Sequence, residues 1–250
     1  MTIASRAAIF TSALLIAGAA HAAPVRIDGL GDSTILNAGQ FSGVGLSTAD
    51  SAVLRNNPLR GIHAQLQADG IDTNGVVTLL AAEVDSTGDG LNDSLGFFAL
   101  VDEETESGKF RGFNARLGFM SWVDGDADFL VNDPGEKLGI RGGDDPLALG
   151  RFDWDKREKG DAFGWTDLEV GESGDMHFWQ AGHRAGIEGF QFLTWTAEGW
   201  DVALTGDFNP GGYCQPDHFG FQFAIVPIPG AVWMGFAGLA AVGAARRRMA

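Results

Sequence analysis

Phe219-Gly220-Phe221-Gln222-Phe223-Ala224-Ile225-Val226 sets an aromatic ring at every second of its first five positions. Successive side chains of a β-strand point to opposite faces, so a period of two puts Phe219, Phe221 and Phe223 on one side and Gly220, Gln222 and Ala224 on the other. An amphipathic helix would instead repeat its apolar residues every three or four positions. Phe190, Phe192 and Thr194 alternate in the same way with Gln191, Leu193 and Trp195. Further apolar runs between turn signals occupy 25–30, 62–68, 76–84, 95–101, 110–122, 151–153, 176–180 and 200–204, and each reads as a strand. Glycine makes up 37 of the 250 residues, about twice ordinary usage, and punctuates these runs. The pattern predicts an all-β fold, an antiparallel β-sandwich or jelly roll. Only Ser47 to Asn57 reads as helical, with Ser47 or Thr48 as cap, Asp50 in the first turn and Pro58 as the stop.

Both ends of the chain read as targeting segments. Arg6 supplies a positive start, Ala7 to Ala20 an apolar stretch, and Ala20-His21-Ala22 a small-x-small cleavage site, which predicts a signal peptide over 1–22 and a mature N-terminus at Ala23. At the other end, Ile228 to Ala245 gives 18 residues without a charge. As a helix they would reach roughly 27 Å, just short of a hydrocarbon core, so a C-terminal transmembrane helix is expected. Arg246, Arg247 and Arg248 follow directly as a basic stop, which the positive-inside rule places on the cytoplasmic face. The expected organisation is a signal peptide over 1–22, an exported domain over 23–226 and a sorting tail over 227–250.

The order Val226-Pro227-Ile228-Pro229-Gly230, then one apolar segment, then an arginine cluster resembles the PEP-CTERM family of bacterial sorting signals. In the closest variant the motif reads Val-Pro-Leu-Pro-Ala. Ile228 stands where leucine is usual and Gly230 where alanine is, and neither changes the physical character of the motif. The resemblance implies an exosortase-type processing enzyme as partner, an inner-membrane intermediate, and release to the cell surface or extracellular matrix. It covers about a tenth of the chain and concerns where the protein goes.

The signal and tail hold four of the 17 basic residues and none of the 33 acidic ones, which leaves the exported part near −20 formal charge. Such a domain repels nucleic acid and anionic membrane surfaces. Cations, polysaccharide and other surface proteins are the partners left, and solubility outside the cell is a sufficient reason for so acidic a surface. Cys214 is the one cysteine, so no internal disulfide forms.

Two stretches carry carboxylates at a spacing that suits calcium, which prefers six to eight oxygen ligands. In Asp85-Ser86-Thr87-Gly88-Asp89-Gly90-Leu91-Asn92-Asp93, the positions Asp85, Thr87, Asp89 and Asp93 are the ligand candidates. The stretch is similar to thrombospondin type 3 and dockerin-like loops, but Thr87 stands where an acid or amide is usual. The same residues suit a plain hairpin turn between 76–84 and 95–101. In Asp124-Gly125-Asp126-Ala127-Asp128, three carboxylates alternate, and would share one face of an extended chain. His177 and His183 flank a turn signal and would face each other on a hairpin, while Cys214 and His218 are four apart in a loop.

No Gly-x-Ser-x-Gly elbow or zinc-binding spacing is present, and the reading is not an enzyme. Asp153, Asp155, Glu158 and Asp161 around Trp154 and Trp165 are what a polysaccharide hydrolase would need, in a chain where acids are abundant. Trp122, Trp154, Trp165, Trp179, Trp195 and Trp200 complete the exported aromatics. Most should fill the core, with two or three left to stack on sugar rings. The expectation is an exported surface or matrix protein with a structural or adhesive β domain, and a carbohydrate-binding module as the alternative.

Overall fold

The computed structural model describes residues 23–45, 62, 65–85, 92–102, 115–131, 137–141, 145–154, 160–180, 187, 189–208 and 218–227. The signal peptide, the 47–57 segment, Ile228 to Gly230, the apolar tail and Arg246 to Arg248 lie outside them. The described residues form an all-β fold of two seven-stranded sheets.

The first sheet contains β1 (Val25–Asp28), β2 (Thr34–Leu36), β6 (Ala115–Val123), β8 (Lys137–Arg141), β9 (Leu147–Trp154), β11 (Ser173–Gln180) and β14 (His218–Ile225). Their order across the sheet is β2-β1-β14-β11-β6-β9-β8, with antiparallel pairing throughout. The second contains β3 (Gly39–Gly45), β4 (Val76–Asp85), β5 (Ser94–Asp102), β7 (Asp128–Val131), β10 (Gly160–Thr166), β12 (Gly189–Thr196) and β13 (Gly199–Asp207). Its order is β13-β12-β4-β5-β10-β7, with β3 also paired to β4.

The alternation read in β14 holds residue by residue. Phe219, Phe221, Phe223 and Ile225 are buried, while His218 and Gln222 are exposed. Their rings meet those of the second sheet: Phe97 stacks on Phe223 at 4.8 Å and Phe190 on Phe219 at 4.5 Å, and in the neighbouring β6 Phe119 stacks on Phe163 at 4.2 Å. Each fully buried phenylalanine contributes roughly 1.5–3 kcal/mol, so this ring-filled interface holds the sheets together.

The second sheet is not wholly antiparallel, which corrects the sequence expectation. β12 runs parallel to β4 along Val76–Leu80, and β3 runs parallel to it along Ala82–Asp85, so both share one edge of the ten-residue β4. Parallel neighbours need a long crossover. The chain between β3 and β4 includes a helical turn at 62 and 65–68, and this turn corrects the strand expected over 62–68. Ile62 and Leu66, four apart, are both fully buried, as one stripe of a helix would be. The turn ends at Gly70, which has φ +84°, with Ile71 N donating to Leu66 O and Gly70 N to Gln67 O, the paired bonds of a glycine-capped helix end.

Ile62 and Leu66 pack with Leu80, Phe98, Leu100 and Trp200 in a second cluster on the outer face of this sheet. Val77, Leu79, Phe97 and Ala99 of the same strands face the inter-sheet core. β4 and β5 are therefore buried on both sides, which is why they read as continuous apolar runs.

Candidate functional site

Carboxylates concentrate at one end of the sandwich, where the β6–β7 turn meets the β10–β11 turn. Asp124 N donates to Ser173 O at 2.8 Å and joins the two turns. Asp167 takes a left-handed backbone, φ 59°, fixed by its N–H donating to Ser94 Oγ at 2.8 Å. Glu169 N donates to Glu172 Oε2 at 2.8 Å, and the Glu172 side chain lies across Gly125. The result is a cleft of about 410 Å³ lined by Asp124, Asp126, Asp145, Asp167, Glu169 and Glu172.

Asp124 and Asp126 were legible as a pair. Asp145, Asp167, Glu169 and Glu172 were not, because only the pairing of β6 with β9 on one side and β11 on the other brings their loops to the same place. Asp128 is the first residue of β7, opposite Thr166, and does not line the cleft. The three alternating carboxylates do not stand as one row, because residues 124–126 form a bend, with Gly125 at φ +124°, before β7 begins at Asp128. Lost hydration, and then the negative charge of Asp167, hold the Asp128 carboxyl above its ordinary range. Chemically the cleft concentrates negative potential. Among the described residues, no three histidine, cysteine or carboxylate side chains are grouped so as to hold a metal ion.

Of the other calcium candidates, Asp85 is the buried last residue of β4, and Asp93 N donates to Val84 O as the chain returns into β5. The stretch thus joins two strands, β4 and β5, that are antiparallel neighbours. Thr87 and Asp89 lie outside the described residues.

A second cleft, of about 590 Å³, opens where β14 runs past the end of β1. Phe190, Phe219 and Leu204 give it apolar walls, and His177, His218 and Asp207 supply polar ones. His177 does not sit at a hairpin with His183, as the spacing had suggested. β11 continues to Gln180, and His177 pairs with Gly220 of β14 and Met120 of β6. His183 and Cys214 lie outside the described residues.

Fewer tryptophans fill the core than expected: of the five whose side chains are described, Trp165 and Trp200 are buried, while Trp122, Trp179 and Trp195 are half-buried. Trp165 is fully buried, its indole N–H donating to Ser121 Oγ at 2.7 Å, and Trp200 is buried between Phe41 and Trp195. Trp165 is therefore unavailable as a sugar-stacking ring beside the acids of 153–161. Asp153 and Asp161 lie in different sheets, on β9 and β10. Trp122 and Trp179 are half-buried on the outer face of the first sheet.

At the sorting motif, Val226 N donates to Pro24 O at 2.9 Å and Pro227 is exposed. Ala23, the expected mature N-terminus, packs against the core two residues before β1. Among the described residues no helix is long and apolar enough to cross a membrane. The tail expected to do so, 228–245, is not among them.

No protein family and no curated protein matches the sequence. Among solved structures, the chain has a distant likeness to one described as the complete structure of manganese lipoxygenase of Gaeumannomyces graminis and partial structure of zonadhesin of Komagataella pastoris. Identity is 12%, the TM-score is 0.27, and the match covers 62% of this chain and 52% of that one. The chain thus spans about half the length of the structure it matches, and a likeness this distant carries no argument about activity.

Proposed function

We propose that the protein is an exported cell-surface or extracellular-matrix protein, with the β domain as its working part and an exosortase-type enzyme as the partner that processes its tail. The observation that supports this is the placement of the two expected processing positions. Val25 pairs with Ile225, and Val226 N reaches back to Pro24 O, so residues 23 and 226 flank neighbouring strands of one sheet. Cuts after Ala22 and within the Val226–Gly230 motif would leave every strand from β1 to β14 in place. The domain released would be closed at both ends by its own hydrogen bonds.

The acidic cleft adds a surface that draws cations outside the cell and disfavours nucleic acid. Calcium remains a proposed ligand on these grounds. A glycan-binding role is the second reading, favoured by two half-buried tryptophans on one sheet face.

The intact mass of protein recovered from the host surface tests the first reading. A C-terminus between Val226 and Gly230 is expected. Replacing Pro227 and Pro229 with alanine should leave the tail attached and hold the protein in the membrane fraction; release of the variant at the normal mass would overturn the sorting assignment.

A further inference from the structure

The outer face of the first sheet is built as an ordered grid. Across β14, β11 and β6, the register aligns Gln222 with Asp175 and Trp122, then Gly220 with His177 and Met120, then His218 with Trp179 and Gly118. The alternate residues of these strands, Phe119, Ser121, Met176, Phe178, Phe219 and Phe221, are buried on the inner face. The grid therefore faces away from the core, and Leu149 of β9, opposite Met120, extends it with 49% of its surface exposed.

Two rings of β11 lie down on this face. Side chains of a strand ordinarily stand perpendicular to the sheet. A Cβ built on Gly118 would collide with Trp179 Cε2, Nε1 and Cζ2. One built on Gly220 would collide with His177 Nδ1 and Cε1. The Trp179 indole thus covers β6, and the His177 imidazole covers β14, each over a residue without a side chain. Along β6, Gly118 and Trp122 are four residues apart, about 13 Å at strand rise. That separation seats two different sugars of one chain rather than a single sugar.

We propose that this face is a binding platform for a neutral polysaccharide, with Trp122 and Trp179 as stacking rings and Asp175, His177, His218 and Gln222 as partners for sugar hydroxyls. The proposal rests on the glycan-binding reading and names its site. A pyranose presents an apolar C–H face bordered by hydroxyls, and the grid presents indole rings bordered by carboxylate, imidazole and amide groups that accept or donate hydrogen bonds. The core of a protein interface is depleted of charged residues, whereas Asp175, His177 and His218 put an ionisable group in each row of this grid. A strongly acidic exported domain disfavours a polyanionic chain, so the ligand is neutral. The platform is also continuous with the 590 Å³ cleft through His177, Gly220 and His218, which gives a bound chain a recess at one end.

The test is affinity electrophoresis of the processed protein in gels containing neutral glucans, galactans or mannans, with alginate as a polyanion. Wild type should be retarded by at least one neutral polymer. Trp122→Ala and Trp179→Ala should each weaken that retardation roughly tenfold or more, as loss of an aromatic anchor does. Trp195→Ala, on the other sheet, should not. Because removing the indole uncovers Gly118, Leu149→Glu is a second probe, placing a charge on an already exposed position, and it should also weaken binding. Retardation unchanged in the Trp122/Trp179 double variant and in Leu149→Glu would overturn the platform while leaving glycan binding standing. Preference for alginate would overturn the neutral ligand. No retardation by any polysaccharide would overturn the platform and the glycan-binding reading together.

Discussion

Trp165 of the second sheet donates its indole N–H to Ser121 Oγ of the first at 2.7 Å, and Ser121 passes its own hydroxyl proton toward Asp175 O at 3.0 Å. Trp165 and Ser121 are both fully buried, so this relay is a polar stitch within an apolar interface rich in phenylalanine. A buried indole N–H without a partner bears its whole desolvation cost.

Ser121→Ala should therefore destabilise the fold by about 1–3 kcal/mol, the cost of an orphaned buried donor. Trp165→Phe loses the donor and some packing together. The double variant Ser121→Ala/Trp165→Phe should be less destabilised than the sum of the two single changes, because the phenyl ring leaves nothing unpaired. Denaturant unfolding of the four proteins measures this, and strict additivity would show that the hydrogen bond contributes nothing.

The strands that could be read in the sequence were those with one buried face or a long apolar run. β14 shows the first case, and β4 and β5 the second. β2, β3, β7, β8 and β10 escaped because they are short, or rich in glycine and charge, and gain their place from neighbours. Gly160–Thr166, for instance, pairs with β5 on one side and β7 on the other. The parallel pairs of β4 were hidden for a related reason: the direction of β3 and of the distant β12 relative to β4 is set by the path of the chain between them, and local alternation is blind to it. The acidic cleft was half legible. Asp124-Gly125-Asp126 announces a charged turn, while Asp167, Glu169 and Glu172 look like any acidic loop until the register of β6 and β11 brings the two turns together. Trp122 and Trp179 were legible as a pool of six tryptophans, and only the pleat separates them from buried Trp165.

Charge at the cleft end should be visible in pH-dependent melting. The Asp128 carboxyl is held above its ordinary range, so the folded chain keeps that proton more tightly than the unfolded chain does. Stability from this group falls as pH rises from the ordinary aspartate value through the folded one, and stays lower above it. Asp128→Asn should melt higher than wild type at neutral pH, with the gap closing as pH drops through the acidic range. Asp28 acts in the opposite sense: the Ser33 hydroxyl, and then Arg26, hold its carboxyl low. Its contribution is present above the ordinary aspartate value and lost as pH falls through the folded one, and solvent screening keeps it small. Equal melting of wild type and Asp128→Asn at neutral pH would refute the penalty on the charged carboxylate, which comes first from lost hydration and then from Asp167. Calcium probes the same end of the fold. A rise specific to calcium at matched ionic strength, reversed by chelator, would place an ion among the carboxylates, whereas a rise common to calcium, magnesium and sodium would be screening.

The terminal strands should tolerate trimming up to a sharp limit. A form beginning at Val25 loses the Pro24 carbonyl that accepts from Val226, together with buried Pro24 and the packing of Ala23, but Val25 to Asp28 still pair with Ile225 to Gln222. A form beginning at Gly29 loses β1 altogether. It removes Val25 and Ile27, both essentially fully buried, and strips β2 and β14 of their shared neighbour. Two such side chains are worth roughly 3–6 kcal/mol together, a large share of the about 5–15 kcal/mol by which domains are stable. The first form should melt only a little below a form beginning at Ala23, and the second should unfold or aggregate through the bare edge of β14. Similar melting temperatures for the two would mean that β1 is dispensable. The closed boundary that favours cuts at Ala22 and Val226–Gly230 would then have no energetic basis, because a ragged N-terminus would be released just as stably.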